Sequence, residues 1–214
     1  MSKSLTTLIT ETRDFLDEGT ADRFSDAELT RYINRGLRQV QSQIQTANED
    51  YFLRVETVTA ASGSYELALP ADIWGNKLRN LWYYDNSSLA SGTPYRIEPT
   101  SIENVYANLG ASGLPSAYAL HAGYLRWAPM LANTGTFRFV YAMKEAELTT
   151  GAQVIGQIAD EHTDCIGMYA AILAKLKIAA PVKELYELYS QRMNQIINDI
   201  TPMDPIRIQH QAID

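Results

Sequence analysis

The sequence predicts an α+β protein, mainly helical, in which N- and C-terminal helices form a bundle, a small antiparallel β-domain is inserted between them, and an extended C-terminal tail follows. Three observations carry this. Apolar residues recur at three- and four-residue steps at both ends of the chain, the period falls to two between about Leu53 and Met143, and Pro202 and Pro205 separate the last helix from a short alternating segment. The resulting division is 1–52 and 158–201 for the bundle, 53–157 for the inserted β-rich domain, and 202–214 for the tail.

Leu5, Leu8, Ile9, Phe15 and Leu16 mark a first helix that stops at Asp17-Glu18-Gly19. Ser25-Asp26-Ala27-Glu28 reads as a capping box, the serine oxygen accepting an orphan amide and Glu28 reaching back; Leu29, Ile33, Leu37, Val40 and Ile44 then form one stripe of a helix over roughly 25–48. Val55, Thr57 and Thr59 alternate up to a Ser62-Gly63 turn, and Tyr65, Leu67 and Leu69 alternate after it, which predicts a hairpin. Pro70 stops that strand and β character restarts at Leu78. Further strands are expected at Thr93–Ile97, Ala117–Leu120, Tyr124–Trp127 and Thr136–Tyr141, with a short helix opening at Pro99-Thr100-Ser101. Helical spacing returns near Asp160, is interrupted at Pro181, and resumes from Val182 to Ile200 as an antiparallel partner. Ile206-Arg207-Ile208-Gln209-His210 alternates apolar and polar, as a strand does.

Composition excludes several functions. The 214 residues are 46% hydrophobic and 20% charged, so the chain is an ordinary globular protein. Eighteen Lys and Arg stand against 25 Asp and Glu, and the net charge of −7 opposes any mechanism that neutralises many phosphates. The single cysteine, Cys165, rules out an internal disulfide framework. The opening residues lack the apolar run of a signal peptide, and the longest nearly apolar run, Ile166 to Ala174, is about half what a bilayer-spanning helix requires. A soluble protein without membrane association is therefore expected.

No phosphate-binding glycine loop occurs, and Gly110-Ala111-Ser112-Gly113-Leu114 lacks the spacing of a nucleophile elbow. His121, His162 and His210 lie far apart. Asp160-Glu161-His162-Thr163-Asp164-Cys165 mixes hard and soft metal ligands, yet acidic residues in a first helical turn already suit the helix dipole, and Cys165 falls on the apolar stripe. The tyrosines and tryptophans sit in strands, where aromatics pack across the sheet. Neither a catalytic constellation nor a cofactor or metal site is expected. Arg31, Arg35 and Arg38 fall together opposite the apolar stripe of the second helix; they form either a solvated basic face or a contact with an acidic surface.

In order, the chain carries Thr7-Leu8-Ile9, a Ser25-Asp26-Ala27-Glu28-Leu29 helix start with Tyr32-Ile33-Asn34-Arg35-Gly36, Tyr51-Phe52, Leu69-Pro70-Ala71-Asp72, Gly113-Leu114-Pro115-Ser116-Ala117-Tyr118, Trp127-Ala128-Pro129, Val140-Tyr141 and Glu147-Leu148-Thr149. This series resembles the head-to-tail adaptor (connector, head-completion) proteins of tailed bacteriophages. The resemblance implies a structural virion protein forming a dodecameric ring beneath the portal. Such a ring extends the DNA channel without binding DNA specifically and presents a surface to a tail or nozzle protein. It further implies that the C-terminal tail, by position Ile206, Arg207, Ile208, Gln209, His210 and Ile213, contacts the portal; from their place on the helix face, Arg31, Arg35 and Arg38 are expected to contact a neighbouring subunit or partner. Two alternatives remain open: a tail-tube or tail-completion subunit, and a metal-dependent hydrolase centred on Glu161, His162 and Asp164.

Overall fold

The computed structural model describes residues 3–18, 23–85 and 93–201. In chain order these form α1 (Leu5–Leu16), α2 (Asp26–Ala47), β1 (Leu53–Ala60), β2 (Glu66–Ala68), β3 (Ile73–Tyr84), β4 (Pro94–Arg96), β5 (Glu98–Pro99), α3 (Ile102–Ala107), β6 (Ser112–Gly113), β7 (Ala117–His121), β8 (Tyr124–Ala128), β9 (Met130–Leu131), β10 (Gly135–Met143), α4 (Asp164–Lys177) and α5 (Lys183–Ile200). Contacts divide the chain into a helical unit, Met1–Tyr51 with Glu145–Asp214, and a sheet unit, Phe52–Lys144.

In the helical unit, α4 is central. Its Cys165, Ile166, Gly167, Met168, Ala170, Ala171, Ile172 and Ala174 are all buried, a run of small and apolar residues that lets α1, α2 and α5 pack around it. The α2 stripe Leu29, Ile33, Leu37, Val40 and Ile44 is buried, as its period requires. Ser25 Oγ accepts the Glu28 amide at 3.3 Å, but Glu28 does not complete the box: its carboxylate accepts from Lys177 Nζ at 2.5 Å and from the Tyr32 hydroxyl at 3.0 Å. That ion pair ties the start of α2 to the end of α4, holding the Glu28 carboxyl below its usual range and raising the Lys177 ammonium.

The sheet unit overturns the expectation of a mainly helical protein. Strand accounts for 28% of the structure, arranged as two four-stranded sheets and a two-stranded pair, so the fold is α+β with substantial sheet. The orders are β1-β10-β3-β4 and β2-β8-β7-β5, with β6 beside β9. The expected β1–β2 hairpin is absent as well. β1 pairs antiparallel with β10 along its whole length, Leu53 opposite Ala142 through Ala60 opposite Gly135, while β2 pairs with β8 in the other sheet. Alternation identifies a strand without naming its partner, and here the long strand far along the chain offers more pairing than the short near one. β3 begins at Ile73 rather than Leu78 and passes through Gly75 and Asn76, both at positive φ (53° and 58°), the conformation that reads as a turn from sequence. Two of the pairs, β5 with β7 and β6 with β9, are parallel.

Aromatic side chains join the two sheets. Trp127 on β8 lies against Phe137 on β10 with ring centroids 4.4 Å apart, and Tyr83 on β3 packs on the same ring at 5.2 Å; all three are buried. Gly135 is required by this packing, because a Cβ there would fall 2.4 Å from the Tyr83 ring.

Candidate assembly surface

The segments that carry the resemblance serve as joints within the two units. In the helical unit, Asn34 of α2 clamps Leu148 from both sides: Asn34 Nδ2 donates to the Leu148 carbonyl at 2.9 Å, and Asn34 Oδ1 accepts the Leu148 amide at 2.8 Å. The side-chain amide thereby replaces a backbone partner for a segment that has no sheet to join. One turn on, Arg38 pairs with Glu147, and Gln41 Oε1 accepts the Glu145 amide at 3.1 Å. Glu145, itself buried, turns its carboxylate to the amides of Gly156 and Gln157 at 2.5 and 3.2 Å. The N-terminal residues hold the far end: the Leu5 amide donates to the Gln153 carbonyl at 2.9 Å and the Thr6 amide to that of Gly151 at 3.2 Å. Residues 145–157 are thus a strap along α2 and the start of α1. Asn34, Gln41, Glu145 and Glu147 carry it, and sequence reading found none of these roles, since only the Glu147-Leu148-Thr149 motif marked the place.

Gly36 sits between these anchors on the opposite face of α2. A Cβ there would lie 2.7 Å from the Ile166 carbonyl oxygen, so the glycine sets how closely α2 and α4 cross.

In the sheet unit, the Leu-Pro-x-Asp element ends in Asp72, whose Oδ2 accepts from Arg54 Nη1 at 2.7 Å. The Tyr141 hydroxyl lies 2.8 Å from Asp72 Oδ1 and 2.9 Å from Glu56 Oε2, its one hydrogen shared between the two carboxylates. Burial first, then these hydrogen bonds, raises the Tyr141 phenol well above its usual range. The Gly-x-Pro-x-x-Tyr and Trp-Ala-Pro elements meet each other: Tyr118 stands opposite Trp127 across β7 and β8, and a Cβ on Gly113 would touch Pro129 at 3.4 Å.

Of the three arginines named from sequence, Arg31, Arg35 and Arg38 all lie on the exposed face of α2, but Arg38 is committed to Glu147. Arg31 and Arg35 have no ion-pair partner among the described residues. Ile206, Arg207, Ile208, Gln209, His210 and Ile213 lie outside the described residues. The side chains of the acidic cluster at the start of α4 are turned to different surroundings. Glu161 faces solvent while His162 is buried, and Asp164 accepts from Arg192 Nε at 3.0 Å. Arg192 also donates to the Glu161 carbonyl at 2.5 Å, so this arginine of α5 locks the start of α4. Burial and the neighbouring Asp164 push the Cys165 thiol up to about 12, leaving it protonated and unreactive. Among the described residues no group of three or more His, Cys, Asp or Glu is placed to hold a metal, and no helix is long and apolar enough to cross a membrane.

The geometry is therefore one of joints and exposed surfaces. No curated protein matches the chain. A family model described as SU10 adaptor protein does match, over residues 3–211, and by this nearly complete coverage the chain belongs to that family of bacteriophage adaptor proteins, structural components of the virion.

Proposed function

We propose that the protein assembles as a ring beneath the portal, joins the phage head to its tail and continues the DNA channel between them. The family match over residues 3–211 carries this reading. In it, the portal lies on one side of the ring and a tail or nozzle protein on the other. The net charge of −7 supports the conduit, since each phosphate neutralised by a lining cation would add salt-dependent grip on DNA that has to slide. Arg31 and Arg35, exposed on α2 and without a salt bridge among the described residues, are the side chains offered to an acidic surface on a neighbouring subunit or the portal.

Mass photometry and negative-stain microscopy of the chain mixed with portal protein from the same phage genome test the proposal. A ring stacked on the portal is expected, and the Arg31→Glu/Arg35→Glu variant should assemble less well and with a weaker dependence on salt. A chain that ignores portal and binds a tail protein instead would overturn it.

A further inference from the structure

β10 covers one side of β1 and, among the described residues, nothing pairs with the other. The Met143 amide donates to the Phe52 carbonyl at 2.9 Å, which makes Phe52 and Met143 a hydrogen-bonded pair and fixes the alternation along the ladder. Arg54, Glu56 and Val58 therefore turn their backbone groups toward β10, and Leu53, Val55, Thr57 and Thr59 turn theirs outward. The other edges of the two four-stranded sheets are blunted: β2, β4 and β5 are two or three residues long, and β4 and β5 carry Pro94 and Pro99. β1 runs for eight residues without a proline or a break in register. It also exposes Leu53 at 39% and Val55 at 50%. Its two charged residues, Arg54 and Glu56, are opposite in sign and lie on one face, a pattern that fits its own copy run the other way.

We propose that this edge receives the same edge of a second copy, β1 antiparallel to β1 about a two-fold axis at Val55, in a dimer of the free chain that is released as the ring closes. Only one symmetric register sets unlike charges face to face. Centred on Val55, it places Arg54 opposite the second copy's Glu56 and, by symmetry, Glu56 opposite the second copy's Arg54. Both pairs are of the non-hydrogen-bonded kind, in which side chains approach closest. Centring on Arg54 or on Glu56 sets like charges opposite each other, and centring on Thr57 leaves Arg54 facing Ala60 and Glu56 facing Val58. Each charged group has capacity for the second partner: Arg54, 51% exposed, holds Asp72 through Nη1, and Glu56 takes the Tyr141 hydroxyl on Oε2. On the other face Val55 meets its own copy and Leu53 meets Thr57, which covers the exposed apolar side chains. The outward N–H and C=O groups of Leu53, Val55 and Thr57 all gain partners. Neighbours in a closed ring of more than two subunits are related by less than half a turn, so a two-fold pair ties each ring subunit to a chain outside that ring. Pairing through β1 and ring entry therefore compete, a consequence that rests on the ring reading above.

A single cysteine tests this in the full-length chain, because Cys165 is buried. In the proposed register Val55→Cys faces itself in a hydrogen-bonded pair, with Cα atoms about 5.5 Å apart and within disulfide range. Thr59→Cys, on the same strand, lies roughly 25 Å from its copy. Mild oxidation should link Val55→Cys into a dimer and leave Thr59→Cys monomeric; equal yields from the two, or none from Val55→Cys, would overturn the proposal. Val55→Lys sets like charges face to face and should weaken the dimer about tenfold or more in sedimentation, with an unchanged circular dichroism spectrum. Mixed with portal, the oxidised Val55→Cys dimer should form rings only after reduction. Rings built from the locked dimer would overturn the competition between pairing and ring entry. A reduced chain that dimerises but ignores portal would leave the β1 pair standing and remove the ring reading instead.

Discussion

At Gly36 the absence of one methyl group decides how two helices cross. Helix propensity alone favours alanine over glycine by about 1 kcal/mol in a helix interior. Against this, the added Cβ would stand 2.7 Å from the Ile166 carbonyl oxygen, a backbone atom of α4 that cannot rotate away, and forcing extra volume into a packed contact costs typically 1–3 kcal/mol. The backbone carbonyl cannot move aside, so the clash falls toward the upper part of that range and Gly36→Ala should lower stability by a net of up to about 2 kcal/mol in urea titrations. Gly110→Ala is the control: nothing lies within 4 Å of its Cβ position, and its stability should stay within about 0.5 kcal/mol of wild type. Equal stabilities for the two variants would mean that α4 yields at this point. The same reasoning explains a motif that sequence alone left bare. Tyr32-Ile33-Asn34-Arg35-Gly36 joins a core contact at Ile33, a clamp at Asn34, an exposed cation at Arg35 and a close approach at Gly36, and no periodicity distinguishes these roles.

At the scale of elements, what sequence made legible depended on whether the determinant is local. α2 was readable because its stripe and its Ser25 cap lie within one helix, and α4 was readable as a helix from its apolar spacing, but not its central position, which depends on what packs around it. The partners of the strands were not readable, since β1 finds β10 more than seventy residues away and alternation is the same whichever strand lies opposite. The strap was least legible, because residues 145–157 have no regular secondary structure and are held by side chains of α2 whose role depends on the fold. Asn34→Ala removes both halves of the clamp and strands the Leu148 N–H and C=O, for which the cost is about 1–3 kcal/mol per unsatisfied group if water stays out. Hydrogen exchange should show faster exchange of the Leu148, Gly156 and Gln157 amides in this variant, with α4 retaining its protection. Loss of protection throughout the helical unit would show instead that strap and helices open as one.

For the whole molecule, the way the chain enters and leaves the sheet unit makes a further separation testable. Phe52 and Met143 are a hydrogen-bonded pair at one end of the β1–β10 ladder, so the segment departs from the helical unit and returns at adjacent points, with Cα atoms about 5.5 Å apart. The rest of the chain is held by its own interactions. The strap bonds to α2 and to the N-terminal residues, Asn48 Nδ2 donates to the Ile200 carbonyl at 2.9 Å, and Arg192 ties α5 to the start of α4. Joining Tyr51 to Glu145 through about three Gly and Ser residues spans that gap without strain. The shortened protein should give a helical circular dichroism spectrum and melt in one cooperative transition. A product that binds hydrophobic dyes and melts without cooperativity would show that the helices need the sheet unit to fold. The excision also isolates the proposed arginine surface: Arg31 and Arg35 remain while the whole sheet unit is removed. If α2 meets an acidic partner, the shortened chain should keep any salt-dependent binding to portal that these arginines provide, and a shortened chain that folds yet no longer binds portal would place that contact in the sheet unit instead.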